Sequence, residues 1–238
     1  MEHDLLAADN SMCWTTAQGW ILLLAQDHGK MSLACLWNPS TGNKLPLPDL
    51  EEEHQIPYHC RCLLSHKDLT HPGCVVVLFN NDAPDLWYCH TGGGGDSSSR
   101  WRHCSYDVGF SVGRHWLLES QDQLFLVTTS FVGFDLNNIG TIEVHRMDFS
   151  STQACWRSVH DIGDVVFLLE DTNMAASCSA SALGLKANQI FLLKNSMDDD
   201  GADLCIFDLE TNTQEITRVH HHNNLILWRK PFWIVPPS

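Results

Sequence analysis

Short apolar runs recur along the chain, each followed by a turn rich in Asp, Asn, Ser, Thr or Gly. The first group comprises residues 20–24 (Trp-Ile-Leu-Leu-Leu), residues 33–37 (Leu-Ala-Cys-Leu-Trp), a turn at 38–42 and residues 44–47. The second comprises residues 74–79, 86–89, a loop at 91–99 and residues 100–104. The third is formed by residues 123–127, 141–149, a turn at 150–152 and residues 154–158. Residues 189–193, 204–209, a turn at 210–213 and residues 214–218 form the fourth. Runs of this length, rich in β-branched and aromatic residues and bounded by turn formers, predict strands. Nearly continuous apolar character predicts strands covered on both faces. First runs start roughly 50 to 65 residues apart, close to the spacing of propeller blades that bury their faces against one another. The pattern therefore predicts an all-β fold, a β-propeller of stacked three- to four-stranded antiparallel blades. Residues 13–238 form that domain, and residues 1–12 a short N-terminal extension. Helical patterns are scarce: residues 2–9 suit a short helix, and residues 117–122 lie too close to the next strand for more than a turn.

Composition narrows the function classes. The chain has 238 residues, enough for a sizeable core, and its nine Trp and ten Phe exclude disorder of the whole chain. Fourteen Lys and Arg against 29 Asp and Glu give a net charge of −15. Nucleic acid and anionic membrane are not expected partners, because Lys and Arg must neutralise their phosphates. No apolar run approaches the ~20 residues of a membrane-spanning helix. Residues 20–25 lack the basic flank and cleavage site of a signal peptide, and the acidic start, without Arg, does not suit a transit peptide. The ten Cys are scattered, with no Cys-x-x-Cys pair and no glycosylation sequon, so reduced thiols in the cytoplasm and/or nucleus are expected.

Several motifs carry a family likeness. Gly19-Trp20-Ile21-Leu22-Leu23-Leu24, then Leu36-Trp37-Asn38-Pro39-Ser40-Thr41-Gly42, then Leu45-Pro46-Leu47-Pro48 resemble the opening of the plant KIB-type β-propeller family. The resemblance continues through residues 118–127, 144–149 and 156–169. It ends with Cys178-Ser179-Ala180-Ser181, Ile206-Phe207-Asp208-Leu209 and Phe232-Trp233-Ile234-Val235-Pro236. These motifs stand in family order and cover nearly the whole chain. Many members carry an F-box ahead of the propeller. Only about a dozen residues precede Trp14 here, so no F-box is expected, and neither is direct binding to a Skp-type adaptor. Between Asp107 and Arg114 the family order falls short by roughly one blade, so an incomplete propeller or a reduced blade count is expected. The resemblance implies the substrate-receptor half of a cullin-type ubiquitin ligase, with plant kinases of the glycogen-synthase-kinase type among the targets of some members. A non-enzymatic protein-interaction module is thus the expected function, with no cofactor. The alternatives are a serine hydrolase and a truncated member without function.

Other residues suggest chemistry and are weighed against packing. Gly109-Phe110-Ser111-Val112-Gly113 matches the nucleophile-elbow spacing, but that motif needs a strand-to-helix turn, and no helix pattern follows Ser111. His54, His59, Cys60, Cys62, His66 and His71 are dense in metal-ligand types, yet lack the usual zinc pairing distances. On a strand, Cys60 and Cys62 share a face. His220, His221 and His222 read as a loop, and Asp198 to Asp203 has the wrong spacing for a calcium loop. Gly92 to Gly95 lacks the Lys-Ser/Thr of a phosphate loop. Trp37, Trp101 and Trp156 fall at similar places in their repeats and read as packing residues. No catalytic, cofactor or metal residue is assigned, and the partner-binding residues are left open.

Overall fold

A computed structural model describes residues 11–27, 30–51, 54–57, 59–92, 100–105, 113–132, 139–150, 154–171, 174–195, 202–219 and 232–234. The chain divides into two compact units, residues 1–109 and 110–238.

The first unit holds two antiparallel four-stranded sheets. In one, β1 (Ser11–Thr15), β2 (Ile21–Asp27), β3 (Lys30–Trp37) and β4 (Lys44–Pro46) pair in chain order. In the other, β5 (Cys60–Leu64), β6 (Val75–Asn80), β7 (Asp85–His90) and β8 (Arg102–Ser105) do the same. The connections follow from the turn residues. Gly19 takes a left-handed φ of 80° between β1 and β2. The β3–β4 turn is closed by Asn38, whose Oδ1 accepts from the backbone N–H groups of Ser40 and Thr41, and by Gly42 at φ 75°. Residues of alternating parity then face one core: Leu22, Leu24, Ala34 and Leu36 from the first sheet meet Cys62, Leu64, Val76, Leu78 and Trp87 from the second. All six residues of β6 are buried, which is what its unbroken apolar run requires.

The second unit repeats this arrangement with one change. Its first sheet pairs β9 (Gly113–Ser120), β10 (Gln123–Phe131), β11 (Ile139–Asp148) and β12 (Cys155–Val159) in chain order, all antiparallel. Its second sheet has five strands: β13 (Val165–Glu170), β14 (Ala175–Ser179), β15 (Gln189–Asn195), β16 (Ala202–Asp208) and β17 (Thr213–Val219). The spatial order is β14-β13-β15-β16-β17, and β13 runs parallel to β15. A parallel pair needs a crossover rather than a hairpin. Here β14 and the single turn of helix α1 (Ala180–Leu183) supply it. Ser179 caps that turn by accepting from Ala182 N–H, and Gly184 ends it at φ 66°. Asp164 braces its start, accepting from the backbone N–H and hydroxyl of Ser181. The core lies between Trp116, Leu118, Phe125, Val127 and Val144 of one sheet and Phe167, Leu169, Ile190, Leu192 and Phe207 of the other.

The four sheets bear out the all-β, blade-like prediction, and four details depart from it. The three-strand groups of the sequence gain β1, β5 and β9 in three sheets, within the expected three to four strands, while β13 and β14 bring the last sheet to five. Residues 117–120 belong to β9, and only Gln121 and Asp122 turn, both with left-handed φ near 50–60°. Ser11 and Met12 already pair with Ala25 and Leu24. The three equivalent Trp are not equivalent: Trp37 ends a third strand, Trp101 precedes a fourth, and Trp156 lies within one.

Candidate functional site

The metal-type residues of the first unit do not converge. Cys60 and Cys62 share the inward face of β5, as expected. Burial pushes the Cys60 thiol up to about 12 and the Cys62 and Cys89 thiols up as well. All three thiols lie within the apolar core of the first unit and pack there as small hydrophobes. His66 and His71 stack on one another in the turn before β6, with ring centroids 4.2 Å apart. His71 Nδ1 accepts from Gly73 N–H (3.1 Å), and His66 Nδ1 lies 2.8 Å from the Ser65 hydroxyl. Each ring is thus tied into the turn by one nitrogen. Among the described residues, no group of three or more His, Cys, Asp or Glu is placed to hold a metal. Ser111, His220 to His222, Asp198 to Asp200 and Gly93 to Gly95 lie outside the described residues. Asp203 is described and pairs with Arg218 at 2.7 Å.

One constellation absent from the sequence reading joins Asp85, His103 and Ser105 on the hairpin of β7 and β8. Asp85 Oδ1 accepts from His103 Nε2 (3.0 Å) and from Ser105 Oγ (2.5 Å). A nucleophilic triad needs the imidazole between serine and carboxylate. Here the carboxylate lies between them and accepts from both, so the imidazole is not placed to take the serine proton. Register explains why the sequence hid it: Asp85 pairs directly with Ser105 across twenty positions of chain.

In the second unit, polar groups gather at the end of β13. Trp116, from β9, donates its indole N–H to Glu170 O (2.9 Å). Trp233, near the C-terminus, donates its indole N–H to Leu169 O (2.9 Å) and its backbone N–H to Glu170 Oε1 (2.7 Å). Asp171 pairs with the Arg114 guanidinium and accepts from Asn195 N–H (2.8 Å). Ser120 and Ser177 hydroxyls lie 2.7 Å apart between β9 and β14. The strand end therefore offers hydrogen-bond acceptors to two indoles on opposite faces. No nucleophile–base pair is among these bonds. Only the Phe232-Trp233 motif hinted at this cluster in the sequence.

The KIB1-4 beta-propeller family model matches residues 2–115 and 110–208. The chain belongs to that family. The two matched stretches of the KIB1-4 propeller overlap at 110–115, beside the boundary between the two compact units. No curated protein sequence matches the chain. Among solved structures, TolB from Acinetobacter baumannii is similar at 13% identity and a TM-score of 0.35, over 87% of this chain and 43% of that one. The polysaccharide lyase Uly1 is similar at 9% identity and a TM-score of 0.31, over 84% of this chain and 48% of that one. The chain thus spans less than half the length of either structure.

Proposed function

We propose that this KIB1-4 propeller is a non-enzymatic module that binds a target protein, as the receptor half of an F-box type ubiquitin-ligase component. Family membership carries this reading: the family is associated with F-box proteins, whose partner domains work by holding another protein. The polar clusters support it, because Asp85, Asp164 and Asp171 direct their hydrogen bonds to neighbouring strands and turns. They brace a scaffold. A net charge of −15 suits a target with a basic surface and disfavours nucleic acid. By family resemblance the first target class is a plant kinase of the glycogen-synthase-kinase type, met in the cytoplasm or nucleus.

Purified chain titrated against such a kinase and against a Skp-type adaptor tests the reading. Saturable binding to the kinase, with none to the adaptor, is expected. Robust adaptor binding without kinase binding overturns the receptor reading. The hydrolase alternative has no structural observation in its favour, since Ser111 lies outside the described residues. Labelling by an active-site serine probe that is lost in Ser111→Ala would establish it instead.

A further inference from the structure

Within the segment Phe232-Trp233-Ile234, one residue makes the bonds to the last sheet. Trp233 packs against the cluster of Val166, Leu168, Ala180 and Phe191, and both its N–H groups reach acceptors at the end of β13. Its neighbours stay in solvent: Phe232 is 60% exposed and Ile234 81%. A single well-bonded indole between two exposed apolar residues is the pattern of an anchor in a pocket. The receiving side belongs to the sheet itself. Its walls come from β13, α1 and β15, and its two acceptors, Leu169 O and the Glu170 carboxylate, are on consecutive residues. Glu170 is only 4% exposed, and a carboxylate that deep needs hydrogen-bond donors; the backbone N–H of the anchor is one. Apolar walls with a few fixed polar groups are the general form of a ligand site.

From this we infer that the seat of Trp233 is a peptide-docking site, filled by the chain's own tail, that accepts a tryptophan carried on an extended segment of a partner protein. The ring fills the walls, the indole N–H meets Leu169 O, and the backbone N–H of the same residue meets Glu170. Phenylalanine lacks the first donor and proline the second, so the seat discriminates against both. The tail competes from within the molecule at an effective concentration in the millimolar range. A partner therefore enters by displacing it. This extends the protein-binding reading above by naming the chemistry of the bound segment.

The test uses a labelled peptide, Phe-Trp-Ile-Val-Pro, titrated by fluorescence anisotropy into the full chain and into its Trp233→Ala variant. The variant should bind at least about tenfold more tightly, because self-competition is gone. A peptide with Ala in place of Trp should not bind, and adding Glu170→Gln should weaken binding several-fold. Equal affinity for both chains, or binding that survives loss of the peptide's Trp, overturns the inference. Should Trp233→Ala lose its β-sheet circular dichroism, the parent chain supplies the readout. Saturating peptide should then speed tryptic cleavage after Arg229 several-fold, and an unchanged rate overturns the inference. Kinase binding without peptide binding would sink the Trp233 seat alone; peptide binding without kinase binding would sink the kinase as target alone.

Discussion

The two units solve one problem with different wiring. Each packs two twisted sheets face to face, and in each a buried tryptophan ties one sheet to a backbone carbonyl of the other. In the first unit Trp101, just before β8, donates to Pro48 O beyond β4 at 2.8 Å, joining the late strands of both sheets. In the second, Trp116 on β9 donates to Glu170 O at the end of β13, joining an early strand to its neighbour sheet. The first unit uses two plain meanders, whereas the second inserts a crossover and a parallel pair. Comparable apolar runs thus accommodate two strand orders, because the runs dictate which faces are buried and leave the order to the connections.

Truncating the two tryptophans should give the largest effects. Trp116→Ala and Trp101→Ala should each cost about 3–5 kcal/mol through the cavity and lost burial, read as a fall in urea midpoint. The Phe variants remove the N–H together with part of the ring and should cost less, about 1–3 kcal/mol. If only one of the pair behaves so, the two clamps are not equivalent. Next comes the second unit's ion pair. Asp171→Ala removes the carboxylate from Arg114 and from the Asn195 N–H, leaving Arg114 only the Asp171 carbonyl at 3.5 Å, and should cost about 1–3 kcal/mol, discounted from a fully buried pair because both side chains keep some solvent exposure. Asp203→Ala, which breaks the more open Arg218 pair, should cost under about 1 kcal/mol.

The crossover itself is probed by Gly184→Ala. A Cβ there meets no atom within 4 Å, so the expected loss of about 1 kcal/mol is purely that of a left-handed residue. A neutral result would show that the turn of α1 relaxes freely. Acid titration tests the edge beside it. The Lys186 ammonium, with the Thr211 backbone, holds the Asp208 carboxyl down to about 2, below its ordinary value of about 4. A depressed folded-state value means that its stabilisation is complete above about pH 4 and is lost as pH falls toward 2. Asp208→Asn should flatten that part of the acid limb, and added salt should shrink the difference. The smallest effect is chemical. All ten cysteines are free, so denatured protein without reductant should titrate close to ten thiols. In the native state exposed Cys13 should react first, and buried Cys62 and Cys89 last.

Much of the first unit was legible along the chain. The run 74–79 announced a strand buried on both faces, and Asn38-Pro39-Ser40-Thr41-Gly42 announced its turn with the chemistry that closes it. The β9–β10 hairpin was not legible, since its two left-handed residues are Gln121 and Asp122, without the glycine that usually marks such a turn. β14 was missed because Ala175-Ala176-Ser177-Cys178-Ser179 has none of the β-branched residues that signal a strand; it is one through pairing with β13. The Asp85, His103 and Ser105 cluster could not be read, because strand register joins residues that the chain separates.

Periodicity by itself determined the β class and the doubly covered strands. Each of these depends on local propensity or on summed burial, which a linear pattern records directly. Tertiary structure alone decided the parallel pairing of β13 with β15, the carboxylate placed between serine and histidine, and the seat of Trp233. Those depend on which distant hydrogen-bonding groups arrive opposite one another. That is a property of register and crossover, and several registers satisfy the same apolar pattern.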